Sequence, residues 1–206
     1  MPYQPESDPY FYEKTGVLRN LANIRDGKEL ERFGTAATLF RQIELAANPV
    51  TGKFDPGHLR SVHRYLFQDV YGWAGEFRTV DISKGSTRFG SHPFIASYSQ
   101  SVLEQLAKER TAWDPSSPTV DLTERLAYYL GEINALHPFR EGNGRTQRIF
   151  IGQLATSHGL VIRWDTMTPE EMLKASISSF GGDNGPLRDL IQKHSRKAPP
   201  AVRLPR

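Results

Sequence analysis

A mainly α-helical bundle carrying one short β-hairpin is the fold class this sequence predicts. Three observations carry it. Apolar residues recur at helical spacing through most of the chain. Helix-start chemistry precedes several of these runs, as in Asp55-Pro56, Asp121 with Glu124, and Thr168-Pro169. Only the stretch from Thr79 to Phe89 alternates apolar with polar residues around turn chemistry, Lys84-Gly85-Ser86.

The elements follow in order. Residues 1–16 read as an irregular, proline-containing arm ending at Thr15-Gly16. Lys28 to Ala47 reads as a helix whose face carries Leu30, Phe33, Ala37, Phe40 and Leu45, stopped by Asn48-Pro49. The next helix is capped by Asp55 and turns Leu59, Val62, Leu66 and Val70 to one side. After the hairpin, a helix runs from near Ile95 to about Arg110, and "DPSSP" is a loop. Asp121 and Glu124 predict a capping box for a helix lined by Leu122, Leu126, Leu130 and Ile133. A helix beginning at "RTQRIF" closes at Gly159, which suits a left-handed cap. "TPEEMLKASISSF" and "GPLRDLIQKH" supply two more. The division expected is an arm at 1–16, a domain at 17–192 and a basic, Pro-rich tail or linker at 193–206.

Composition narrows the function. The 206 residues suit one ordinary domain. With no cysteine and six scattered histidines, disulfides are excluded and structural zinc is disfavoured. No secretory signal and no apolar run of membrane-spanning length is present, so a cytoplasmic protein without a membrane partner is expected. The net charge of +3 comes from the end of the chain: Lys193, Arg196, Lys197, Arg203 and Arg206 face no acid there, and the remainder holds 21 basic against 23 acidic residues. Direct nucleic-acid binding, which needs positive charge on the folded face, is therefore not expected.

The densest chemistry lies in "HPFREGNGRTQR", His137 to Arg148. It joins two expected core helices. Gly142 and Gly144 permit a tight curve whose amides converge on an anion at a helix start. Arg145 and Arg148, three apart, are expected on one face toward the same phosphates. Glu141 beside an anion site makes sense with magnesium between carboxylate and phosphate. His137 is the nearby group suited to act as a base near neutral pH. Together these describe nucleotidyl or phosphoryl transfer. "HPF" also occurs at His92, without a nest after it, and there it reads as structural or as a rim at a helix start.

This stretch resembles the Fic (filamentation induced by cyclic AMP) signature H-P-F-x-[D/E]-G-N-[G/K]-R-x-x-R at every specified position, and "HLRSVHRYLFQDVYGWAGEFRTVDISKG" is similar to the helix and hairpin that precede it. The resemblance spans roughly residues 10–192. It implies the Fic fold, with the hairpin as a flap beside the active-site loop. It implies ATP as AMP donor, Mg2+, and transfer of AMP to a hydroxyl of a target protein. By this resemblance His137 is the general base, Phe139 anchors the loop, and Glu141 binds magnesium. Gly142, Asn143 and Gly144 form the anion hole, Arg145 holds the β-phosphate and Arg148 the γ-phosphate. Gly144, where a kinase-like branch has Lys, favours AMP transfer. The flap residues Thr79, Val80, Asp81, Ile82, Ser83, Lys84 and Gly85 would pair edge-on with an extended target segment; on their own they also read as a plain structural ribbon. "SISSFGGDNG", Ser176 to Gly185, is either part of an adenine pocket or a simple connection.

Many relatives carry an inhibitory helix with S/T-x-x-x-E-G/N. Here the only Glu followed by Gly or Asn is Glu141, inside the loop itself. The resemblance therefore implies a toxin whose inhibitory Glu comes from a small separate antitoxin, with a bacterial type II topoisomerase subunit as target. A secreted effector acting on host GTPases, and a non-catalytic binding module, are the alternatives.

Overall fold

A computed structural model describes residues 8–85, 87–113 and 121–198. The "DPSSP" loop, Ser86 of the hairpin turn, and the outermost residues of arm and tail lie outside the described residues. Seven helices are present among those described: α1 Gly27–Ala47, α2 Pro56–Phe67, α3 Ile95–Glu109, α4 Leu122–Leu136, α5 Asn143–Ser157, α6 Pro169–Phe180 and α7 Gly185–Lys193.

Side-chain caps set most starts. Asp26 accepts from Glu29 N, Asp55 from His58 N, and Asp121 from the amides of Thr123 and Glu124. At α6 the box is reciprocal: Thr168 accepts from Glu171 N, and Glu171 accepts from Thr168 N. Gly159 does sit at positive φ, 78°, just past α5.

α4 is the central helix, packed against α3, α5, α6 and α7. Leu126, Tyr129, Leu130, Phe150, Ile151 and Leu154 form the heart of one apolar cluster. A second cluster, built on Val62, Leu66, Phe67 and Val70 of α2 and its exit, packs with Leu30 and Leu45 of α1. Phe40, expected on the buried face of α1, is instead 58% exposed beside Leu39 and Ile43. Thr38 takes the inward position, buried with its hydroxyl bonded to Gly34 O at 2.7 Å.

Two expectations change. The hairpin is shorter than Thr79–Phe89: β1 Ser83–Lys84 pairs with β2 Thr87–Arg88. Residues 79–82 have other uses, since Val80 O accepts from Arg78 and the Asp81 carboxylate binds His92 N. At the other end, the basic stretch from residue 193 is not all tail. Ser195–Lys197 is a strand, β4, antiparallel to β3, Leu160–Ile162. Its reach is fixed at both ends by Arg163 N to His194 O (2.9 Å) and Ala198 N to Gly159 O (2.8 Å). No helix among the described residues is long and apolar enough to cross a membrane.

Candidate active site

The loop between α4 and α5 crosses the seam between the two clusters. Phe139, 1% exposed, drops into it and stacks on His63 of α2 at 3.9 Å; His63 stacks in turn on Phe67 at 4.8 Å. Asn143 braces the loop from inside: its Oδ1 accepts from Phe139 N (2.9 Å) and its Nδ2 donates to Phe139 O (2.7 Å). The side chain of Asn143 is buried in this brace, so only its backbone amide is left to serve the expected anion hole.

Gly142 caps α5 at φ +82°, and a Cβ there would lie 2.2 Å from the Phe67 ring. Both facts demand glycine. The helix starts at Asn143, two residues before the expected "RTQRIF". Unlike α1, α2, α4 and α6, α5 has no capping side chain. Its first amides, like those of α3 and α7, make no bond to an N-cap side chain.

His137 ends α4 in the left-handed conformation, φ 47°. Its Nδ1 donates to Asn134 O at 3.0 Å, which leaves the Nε2 lone pair as the acceptor. Burial pushes its pKa down to about 4, with Arg78 and Lys84 adding to the fall and the Asn134 carbonyl opposing it. The ring is therefore neutral at pH 7. Glu141 Oε1 accepts from Gly142 N at 2.9 Å and lies 3.6 Å from Arg145 Nη2.

These groups meet in one cleft of about 830 Å³. His137, Glu141, Gly142, Asn143, Gly144 and Arg148 line its floor, and Ile82, Ser83, Lys84 and Gly85 of the flap line one wall. Thr87 and Phe89 line it too, whereas Thr79, Val80 and Asp81 do not. Thr79 N donates to Tyr10 Oη, and Asp81, its carboxylate held well below the usual range by the His92 amide, is occupied with His92 and Arg88. His92 of the first "HPF" thus anchors the root of the flap.

Arg145 departs from expectation most clearly. Its guanidinium bonds Thr38 Oγ1 of α1 at 2.8 Å and lies over the Phe67 ring, 4.7 Å from the centroid. Only Arg148 of the pair lines the cleft. The two arginines share a helix turn, but Phe67 and Thr38 draw the first one away.

The opposite wall is apolar: Trp164, Met167, Met172, Leu173, Ile177 and Phe180. Of the Ser176–Gly185 segment, Ser176, Ile177 and Phe180 belong to it, whereas Ser179 turns away and donates to Asn184 Oδ1 against Gly131. Sequence reasoning missed Trp164 and Met167, which have no motif around them. It also missed Arg78 and His63, whose partners lie 59 and 78 residues away.

A neutral histidine at a helix end, an uncapped helix start and an arginine around one cleft in a helical domain define a nucleotide-dependent transferase. The chain belongs to the Fic/DOC family, whose pattern matches residues 53–155. It is 43% identical over 192 residues, 93% of its length, to "Protein adenylyltransferase VbhT" of Bartonella schoenbuchensis, and spans 40% of that protein. It is 38% identical over 192 residues to "Probable protein adenylyltransferase y4lH" of Sinorhizobium fredii, covering 93% of this chain and 97% of that one. In structure it is similar to the N-terminal Fic domain of a Bep effector protein from Bartonella quintana with bound ADP, at TM-score 0.81 and 26% identity over 92% and 95% of the two chains. By family and relatives the chain is a protein adenylyltransferase.

Proposed function

We propose that this chain transfers AMP from ATP to a Tyr, Thr or Ser hydroxyl of a target protein, with His137 as general base. The observation that carries this is the fixed tautomer of His137, whose free Nε2 shares the cleft with the uncapped start of α5 and Arg148. Nε2 takes the hydroxyl proton while the oxygen attacks the α-phosphorus. An oxygen–phosphorus bond forms, the bond to the bridging oxygen breaks, and pyrophosphate leaves. Being neutral at pH 7, His137 is fully in its accepting form, at some cost in intrinsic basicity.

The amides of Asn143 and Gly144 and the Arg148 guanidinium receive the phosphates. Arg145 leaves Thr38 for the β-phosphate when nucleotide binds. The adenine lies against the apolar wall of Trp164, Met167 and α6. Glu141 would hold magnesium. A single, partly exposed carboxylate on the cleft suits an ion that takes its other ligands from phosphates and water. No cluster of three or more acidic or histidine side chains that could cage a metal occurs among the described residues. When bound, the ion supplies charge neutralisation on the phosphates.

The target segment pairs with the flap edge around Ile82 to Gly85, next to His137. We further propose that the chain acts as a toxin held in check by a small antitoxin, with a bacterial type II topoisomerase subunit as target. Incubating the protein with ATP and a bacterial lysate, followed by mass spectrometry, tests the chemistry. An AMP adduct on a hydroxyl side chain is expected; labelling only of lysines or of nucleic acid would contradict it.

A further inference from the structure

The flap and the base are not independent parts. Arg78, 2% exposed, sits at the root of the flap. The closest carboxylate oxygen paired with it, Asp81 Oδ1, is 3.9 Å from Nη1. Its donors go instead to four backbone carbonyls. Val80 O (2.6 Å) and Gly90 O belong to the two legs of the flap. Leu136 O (3.1 Å) and His137 O (2.8 Å) end α4 and carry the base. Taking a guanidinium out of water is costly unless its donors are met, and here they are met by joining these two segments. The planar fork fixes how the four carbonyls lie relative to one another.

A second contact repeats the connection in side chains. Phe89, the last residue before Gly90, stacks its ring on His137 at 3.8 Å and 18°. Its outer side meets Phe180 of α6 edge-on at 6.2 Å. Gly90 N donates to Ala135 O at 3.0 Å, and a Cβ at Gly90 would come within 3.1 Å of Leu136, so this leg of the flap lies directly against the end of α4.

We propose that Arg78 and Phe89 are positioning residues that make the flap and His137 one rigid unit, so that a strand seated on the flap presents its hydroxyl at a fixed distance from Nε2. Arg78 is buried on backbone carbonyls, and Phe89, although it reaches the cleft, acts here through its stacking on His137; the inference rests on His137 being the base. Without the lock, a strand paired with the flap is held in register to the flap but not to the base. A slip of one strand residue is about 3.3 Å and reverses the side chain's face, so register matters only if flap and base share one frame.

The test uses the full chain with ¹⁵N-labelled histidine, comparing wild type, Phe89→Leu, Phe89→Tyr and Arg78→Lys. Two-bond ¹H–¹⁵N spectra read the tautomer of His137, ATP titration reads nucleotide affinity, and α-³²P ATP with bacterial lysate reads transfer. Wild type and Phe89→Tyr should show the single Nδ1–H tautomer. Phe89→Leu, which keeps apolar volume but removes the ring face, should show mixed tautomers, unchanged ATP affinity, and labelling at saturating ATP reduced about 10- to 100-fold. Arg78→Lys should behave likewise; if it fails to fold, Phe89→Leu decides alone. A Phe89→Leu protein with the single tautomer retained, or labelling within about two-fold of wild type, would overturn the proposal. If wild type itself labels nothing, the tautomer alone decides the lock, and it is the AMP-transfer reading that falls.

Discussion

His63 lies face to face with Phe139, ring centroids 3.9 Å apart and planes within 11°. Its Nε2 donates to Glu141 O at 3.0 Å, and its Nδ1 accepts from Gly75 N at 2.8 Å. One fully buried side chain therefore holds the active-site loop from beneath by stacking and from its edge by a hydrogen bond. His63→Ala should cost about 2–4 kcal/mol, from the cavity and the two unpaired backbone groups. Urea denaturation measures the loss, and ATP affinity should fall with it. An ATP affinity left at the wild-type value would show that the loop does not need this support.

Acid should destabilise the fold through the same residue. Burial pushes His63 down to about 4, with Arg145 adding to the fall and the Glu141 carbonyl opposing it. An unfolded histidine takes its proton near 6.5, so between these values the unfolded chain binds more protons. Stability from this group is complete above about pH 6.5 and lost as pH falls toward 4, on the order of 3 kcal/mol in all. Urea midpoints at pH 7.5 and 4.5, with His63→Phe as reference, check this. A wild-type acid loss no larger than the variant's would contradict it.

The lowered pKa of His137 has a kinetic counterpart. The rate of AMP transfer should run level through pH 6.5, with its acid limb displaced toward 4. A half-maximal rate at pH 6.5 would show that His137 titrates as an ordinary exposed imidazole, or that another group limits the rate.

Gly142→Ala should be more damaging than its size suggests. It places a Cβ 2.2 Å from the Phe67 ring at a φ of +82°. Steric strain of a few kcal/mol and loss of ATP binding are expected. A variant with wild-type ATP affinity would mean that α5 can start without this turn.

Much of this was legible in the sequence because it is written locally. The caps at Asp55, Asp121 and Thr168 lie within three residues of the amides they serve, and His137, Glu141, Gly142 and Arg148 come from one twelve-residue stretch, a loop and the first turns of α5. What was not legible acts across the chain. His63 looks like any histidine on an apolar helix face until Phe139 is placed over it. Arg78 is one arginine in a turn-rich stretch until four carbonyls surround it. The position of Arg145 was not legible because helix spacing states which face a residue occupies, not that Thr38 and Phe67 lie beside it. β4 escaped notice because three residues are too few to show alternation.

Control is expected to act at Arg148. It lines the cleft, burial and Arg145 lower its pKa, and no acidic side chain pairs with it among the described residues. A γ-phosphate and a carboxylate fit the same fork. Protein produced without a partner should therefore label targets with no activating mutation and slow the growth of its host. A protein inert until a Glu elsewhere in this sequence is replaced would place the inhibitor within the chain.

The group that moves is the most direct test. Wild type and His137→Ala are each incubated with ATP labelled at the α- or the γ-phosphate in the presence of lysate, and ATP affinity is measured in parallel. Wild type should label protein from the α position and not from the γ position, and His137→Ala should bind ATP yet label nothing. Target labelled only from the γ position would make the protein a kinase, and undiminished α-labelling by His137→Ala would remove His137 from the chemistry.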